Sequence, residues 1–218
     1  MTLKIVSHQV GPLSSNSYIV YDEGTREAVV IDAGDDAWLL LETLQERKLK
    51  VDAIYATHGH FDHVMAVDDL KQALKIPFYI HRLDLEILSM AREMTRNFLG
   101  IEVGDPPSPD GFLEDGQTIQ VGGEVLKVMH TPGHSPGSVC FYGDGVLFSG
   151  DLLFMGSVGR TDAPGGSAEQ LTQSILEKVF KLPDDVKVYP GHGPETTIGW
   201  EKKHNPFVGE EGFLRRRR

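Results

Sequence analysis

Short runs of alternating or clustered apolar residues, broken by Gly-, Pro- and Ser-rich turns, open the chain. Residues 3–10 (LKIVSHQV), 16–22 (NSYIVYD) and 27–32 (EAVVID) have strand character and are separated by GPLSSN and EGTR, which predicts an N-terminal meander. From Asp36 the period changes. Trp38, Leu41, Leu44 and Leu49 fall roughly on one helical face, and the pattern runs into an apolar strand, VDAIYATH. From Phe61 onward Val64, Val67, Leu70 and Leu74 again keep helical spacing, IPFYIH reads as a strand, and 83–99 reads as an amphipathic helix. The segment GIEVGDPPSPDG that follows, with three prolines and three glycines, reads as an irregular loop.

The second half repeats this style, with strands predicted at 117–121, 124–130, 138–142 and 145–149, a helix at about 167–181, and a final strand, VKVYP. Two strand-rich halves that each carry helices imply two sheets packed face to face with helices outside, an α/β fold in four layers, αββα. No Pro/Ser-rich or charge-run linker divides the 218 residues, so a single domain over 1–218 is expected. The last stretch, from about 208 and ending GFLRRRR, reads as a solvated, poorly ordered tail.

Charge narrows the function classes. Lys and Arg number 21 against 32 acidic residues, a formal charge of −11, which argues against a nucleic-acid or anionic-membrane surface. No apolar run of membrane-spanning length or signal-peptide core is present, so a cytoplasmic protein acting on a small molecule is expected. The single cysteine, Cys140 in SVCFY, excludes an internal disulfide and reads as a buried, inert thiol.

The candidate chemistry concentrates in THGHFDH, residues 57–63, at a predicted strand-to-helix turn. His58 and His60, two apart in an extended turn, point the same way and can share a metal, whereas Asp62 and His63 leave in another direction, where the chain begins to coil. Three further candidates lie in Gly-flanked turns just past predicted strands: His134 in HTPGHSPGS, Asp151 in FSGDLLF and His192 in YPGHGPE. Five histidines and two aspartates supply enough N and O donors for two divalent ions if one aspartate bridges. Taken singly, each of these residues more often serves structure; the ordered H-x-H-x-D-H string with three partners in matching turns is far more specific. His8 and His81 lack such a context, and His130, at the end of a strand, is ambiguous.

With NSYIV, VVIDAG, THGHFDH, HTPGHSPGS, FSGDLLF, GRTD and YPGHGPET in this order, nearly the whole chain resembles the metallo-β-lactamase-fold hydrolases, and within them the compact bacterial type of the glyoxalase II (hydroxyacylglutathione hydrolase) branch. The resemblance implies an αββα sandwich. It implies one metal on His58, His60, His134 and Asp151 and a second on Asp62, His63, His192 and Asp151, with zinc the first expectation and iron or manganese also compatible. Asp32 in VVIDAG resembles the family's buried aspartate beside the site, Arg160 in GSVGRTD stands where the family often places a basic substrate-facing residue, and His204-Asn205-Pro206 would pack near the site mouth. Asp151 stands where some zinc β-lactamases use cysteine, which disfavours a β-lactamase. The glyoxalase II pattern of a tyrosine close after the last histidine and a basic helical extension is not matched, since Gly193-Pro194 follows His192.

The activity implied is hydrolysis of a thioester such as S-D-lactoylglutathione by a metal-bridging hydroxide, with Asp62 accepting its proton while remaining a ligand. A rival on the same scaffold is a persulfide dioxygenase that holds one iron through His58, His134 and Asp151. A third reading, from another class, is a non-catalytic metal-binding module, which the complete set of candidate ligands argues against.

Overall fold

The computed structural model describes residues 3–215. Strands β1 (Leu3–Val10), β2 (Ser15–Asp22) and β3 (Glu27–Ile31) form the antiparallel meander, after which α1 (Ala37–Glu46) leads to β4 (Lys50–Tyr55), α2 (Val67–Leu74) to β5 (Phe78–His81), and α3 (Leu85–Ser89) with α4 (Ala91–Leu99) to β6 (Gly111–Leu113). These strands make one sheet in numerical order, with β3 through β6 parallel. The second sheet takes β7 (Thr118–Val121), β8 (Glu124–His130), β9 (Val139–Gly143) and β10 (Val146–Gly150). The chain then makes a small hairpin, β11 (Leu153–Phe154) and β12 (Ser157–Val158), and a helix, α5 (Ala168–Gln173), and returns as β13 (Lys187–Pro190) and β14 (Thr196–Thr197) before α6 (Ile198–His204). Its strand order is β14, β13, β10, β9, β8, β7, and β10 and β13 are parallel.

Three apolar layers hold this together. Ile19 and Tyr21 of β2 face outward to Leu40, Leu70 and Leu88 of the helices, while Tyr18 and Val20 of the same strand face inward to Val128, Phe141 and Phe148 of the second sheet. A strand that alternates between two apolar layers has no solvent face, which is why NSYIVYD carries so little charge. The second sheet does the same with Phe148 inward and Leu147 outward, where Leu147 meets Leu171, Ile175 and Ile198. The αββα order is therefore observed as expected. Cys140 lies in the outer layer and is buried, with its thiol pushed up to about 12 by burial.

The differences from expectation are local. Of the expected helical stripe Trp38 is 64% exposed, with Nε1 donating to Asp36 Oδ1, whereas Leu44 is buried with Leu40, and Leu41 and Leu49 pack against the same layer. The helix expected from Phe61 starts at Val67, and Phe61–His63 is a single 3-10 turn. The helix expected over 167–181 is α only to Gln173 and continues as a π turn, Ser174–Lys178, and a 3-10 turn, Val179–Lys181. Residues 208–214 are not the solvated tail expected: Val208 is buried, Leu214 packs on the outer layer, and Phe213 N and Leu214 N donate to the carbonyls of Pro206 and Phe207. Residues 216–218, most of the arginine run, lie outside the described residues. No helix of the described residues is long and apolar enough to cross a membrane.

Phe148 joins the sheets, its ring 5.2 Å from that of Tyr18 and 5.5 Å from that of Tyr189. Phe148→Ala is expected to lower stability by about 3–5 kcal/mol. The check is the urea midpoint at unchanged slope; a loss below about 1 kcal/mol would mean that this junction can collapse without cost.

Candidate metal centre

Every candidate ligand follows the C-terminal end of a strand. β4 runs into Thr57–His63, β8 into the turn that carries His134, β10 into Asp151 and β13 into His192. Because β8, β10 and β13 run in one direction, their turns open at one end of the second sheet, opposite the ends of β3 and β4. A backbone bond from Val139 N to Thr57 O (2.8 Å) and another from Asn16 N to Gly191 O (2.7 Å) tie the two sheets together at this end.

The turns bring all seven candidates into one cluster. His58, His60 and His134 form one group of donor atoms within 4.8 Å of one another; His58, His63 and Asp151 form another, and Asp62, His63 and His192 a third. Asp151 lies between the groups, with Oδ1 3.5 Å from His63 Nε2 and Oδ2 3.6 Å from both His134 Nε2 and His192 Nε2. His58 Nε2, His63 Nε2 and Asp151 Oδ1 are buried without a hydrogen-bond partner. Buried polar atoms left unpaired cost about 1–3 kcal/mol each, so three of them within one cluster of N and O donors fit divalent ions that would take them as ligands. Gly191 leaves the room, since a Cβ there would stand 2.1 Å from Asp151 Oδ1 and 2.8 Å from His63 Cε1.

Other groups aim the donors. His134 Nδ1 bonds the Arg160 carbonyl (2.8 Å) and His63 Nδ1 bonds Asp32 Oδ2 (3.0 Å), so each ring turns its Nε2 into the cluster. Asp32 also accepts from Thr57 N (2.6 Å) and Thr57 Oγ1 (2.7 Å). Asp62 Oδ2 accepts from Ser15 Oγ (2.8 Å) and lies 3.1 Å from His192 Nε2. Asn16 Nδ2 donates to the carbonyls of Pro190 and Gly193 and so brackets His192.

Asp84 is among the residues that escaped the sequence reading. It is fully buried and accepts from Gly59 N (2.8 Å), Ser135 Oγ (2.7 Å) and Gly137 N (2.5 Å), joining the turn of His58 and His60 to that of His134. Burial raises its carboxyl above the ordinary value, against the pull of those three donors. Arg160 is exposed and paired with Asp162 through Nε (2.8 Å) and an Nη (3.1 Å) at the rim. His204 is a correction: it sits exposed in the last turn of α6, with Nδ1 on the Trp200 carbonyl, and does not line the cavity over the cluster. His8 bonds Thr43 Oγ1, and His81 stacks on His130 with ring centroids 4.3 Å apart, all away from the cluster.

Charge divides the cluster. Burial and then the neighbouring imidazoles push His58 well below its ordinary value, and burial with His134 brings His60 down to about 4, so both offer neutral nitrogen. Burial opposes a charge on His63 too, but Asp62, Asp151 and Asp32 surround it and raise it to about 10. Burial likewise opposes ionisation of Asp62, and His63 with the bonds from His192 and Ser15 holds its carboxyl far below the usual range. The carboxylates thus favour positive charge at the point the orphaned atoms face. Above them opens a cavity of about 610 Å³, with His60, Asp62, His134, Asp151 and His192 among its lining.

An αββα fold with a buried N/O donor cluster at its strand ends defines a metal-dependent hydrolase scaffold. The chain belongs to the metallo-β-lactamase superfamily, whose family model matches residues 10–192. It is 38% identical to the probable metallo-hydrolase YqgX of Bacillus subtilis (91% of this chain, 94% of the relative) and 34% identical to the hydroxyacylglutathione hydrolase GloC of Haemophilus influenzae (97% and 100%). Among solved structures it is similar to the B3 metallo-β-lactamase BLEG-1 (TM-score 0.88, 40% identity, 94% and 99% covered) and to TTHA1623 in a di-iron-bound form (0.85, 44%, 93% and 100%). ETHE1 from Myxococcus xanthus is also similar (0.78, 29%, 94% and 84%).

Two outcomes are expected. Asp32→Asn removes the anionic acceptor of His63 Nδ1 and should weaken metal binding about 10- to 100-fold in chelator competition. An unchanged affinity would show that Thr57 alone sets the turn. His63, raised to about 10, is protonated through neutral pH in the ion-free centre, and an ion taking Nε2 must expel that proton. The raised value means the proton is lost only as pH climbs through about 10, so apparent metal affinity should rise with pH, about tenfold per unit for one proton. Calorimetry in two buffers of different ionisation enthalpy should register the release, and a pH-independent affinity would contradict it.

Proposed function

We propose that this protein is a binuclear thioester hydrolase acting on a small molecule such as S-D-lactoylglutathione. The observation that carries the reading is that Asp151 stands between two sets of donors, with its Oδ1 and the Nε2 atoms of His58 and His63 buried and unpaired. His58, His60 and His134 with Asp151 would hold one ion, and Asp62, His63 and His192 with Asp151 the other. Bound divalent ions supply Lewis-acid polarisation of the thioester carbonyl and lower the pKa of a ligand water to about 7.

The residues do the rest. Asp62, held ionised by His63, His192 and Ser15, keeps a lone pair for the proton of the attacking water. His134 and His63 are fixed through their Nδ1 atoms by Arg160 O and Asp32, so little reorganisation is required. Apart from the candidate ligands, the cavity lining offers one carboxyl, that of Asp162, and no neutral acid for a leaving group. A thiolate of free pKa about 8.5 departs without one, which favours thioesters over amides. Arg160, at the rim, gives an anionic arm of the substrate a cation once its pairing with Asp162 is exchanged.

The likeness to the hydroxyacylglutathione hydrolase GloC supports the substrate class, and the di-iron form of TTHA1623 supports two ions and admits iron beside zinc. The likeness to the B3 metallo-β-lactamase BLEG-1 runs against the expectation drawn from Asp151, so β-lactams belong in the assay panel. Protein purified without added metal is expected to carry about two ions per chain and to hydrolyse S-D-lactoylglutathione, with activity lost to a chelator. No turnover at full loading would overturn the substrate. One iron per chain with oxygen uptake on a persulfide would overturn hydrolysis.

A further inference from the structure

The polar groups of the cavity over the cluster are the candidate ligands at its floor and the Arg160–Asp162 pair, beside which Ala163 and Pro164 add apolar lining. Arg160, the one Lys or Arg among its lining residues, stands at the end of the first donor group, its carbonyl oxygen bonded by His134 Nδ1. The opposite end is apolar. Leu13 lies two residues before Ser15, which bonds Asp62, and Phe61 precedes Asp62 itself. Met94 and Phe98 of α4 complete this wall, with the Phe98 ring 6.1 Å from that of Phe61. Phe98 is 60% exposed and Leu13 41%, although both border a cavity and neither belongs to a core layer. Contiguous apolar surface left open beside polar groups marks a ligand site.

A substrate whose carbonyl lies over both donor groups has two arms, and the walls sort them. An arm carrying a carboxylate is drawn to Arg160, which leaves the other arm against Leu13, Phe61, Met94 and Phe98. We infer that the apolar wall is an acyl pocket, and that the preferred substrate is a thioester of an apolar acyl group, straight-chain or aromatic, on a carboxylate-bearing thiol. The inference rests on the thioester reading above and narrows it, because the hydroxylated three-carbon lactoyl group would leave Phe98 wet. The hydrolysis itself balances simply: water adds to the carbonyl carbon, the C–S bond breaks, and the products are a carboxylate and a thiol.

The experiment separates the pocket from the chemistry. Straight-chain carboxylates from acetate to octanoate, as product mimics, are titrated into the metal-loaded protein by calorimetry. Kd is expected to fall about fourfold per methylene, the equivalent of about 0.8 kcal/mol, over the part of the series the wall can cover. Phe98→Ala should flatten that slope and Phe98→Leu restore most of it; Phe98 is exposed, so neither change threatens folding. In parallel, acylglutathiones of the same lengths should show kcat/KM rising with chain length above the value for S-D-lactoylglutathione. A flat binding series, or a slope that Phe98→Ala leaves unchanged, overturns the acyl pocket whether or not any thioester turns over. A rising, Phe98-dependent binding series with no turnover of any thioester supports the pocket and overturns hydrolysis alone.

Discussion

The centre depends on one buried carboxylate. Asp32 follows β3 and sits at φ 55°, a left-handed conformation that costs a non-glycine residue about 1 kcal/mol or more. The geometry persists because both ends of the residue are held. Its carbonyl accepts from Ser17 Oγ (2.5 Å) and Gly34 N (2.9 Å), while its carboxylate accepts from Thr57 N, Thr57 Oγ1 and His63 Nδ1. One residue therefore joins β2, β3 and the turn after β4, through its carbonyl on one side and its carboxylate on the other, and orients a ring whose far nitrogen faces the cluster. Without its carboxylate the turn that carries four candidate ligands loses three bonds to the end of β3.

Around that anchor the fold repeats a single device: a strand ends, the chain turns, and a polar side chain is left at the mouth between the sheets. The second sheet supplies three such turns, and bonds across the mouth hold them in register. Asn16 ties the His192 turn to β2, and Asp84 ties the His134 turn to that of His58 and His60. Each tie is short and buried, where a hydrogen bond is strengthened and its loss is costly. The apolar layers on either side keep water from competing with these bonds.

This division explains what could be read from the chain. The H-x-H-x-D-H string was legible because four candidate ligands fall within six residues, and His134, Asp151 and His192 because each stands in a Gly-bounded turn just past an apolar strand. The four layers followed from two strand-rich halves that each carry helices. Asp84 was not legible, since its partners lie 25 to 53 positions away and its own neighbours, RLDLEIL, read as helix. Asn16 was hidden in the same way by partners 174 and 177 positions distant. Trp38 misled because an exposed indole beside Leu41 and Leu44 mimics a buried stripe, and the three-residue β6 is too short to show any period.

The charge distribution bears on the choice between one ion and two. Three imidazoles surround one point and repel a proton, as the depressed His58 and His60 show; the carboxylates of Asp62, Asp151 and Asp32 surround His63 and retain one there. A site built for a single iron on His58, His134 and Asp151 has no need of that second concentration of negative charge, which would stand as a buried Asp62 and Asp32 around an imidazolium. Burying charge is costly unless it is compensated. Ser15 and Asn16 serve the second half of the cluster, Ser15 through Asp62 and Asn16 through the turn of His192. The fold thus commits bonds and close backbone approach to holding Asp62, His63 and His192 together, which favours a second cation there over an idle remnant.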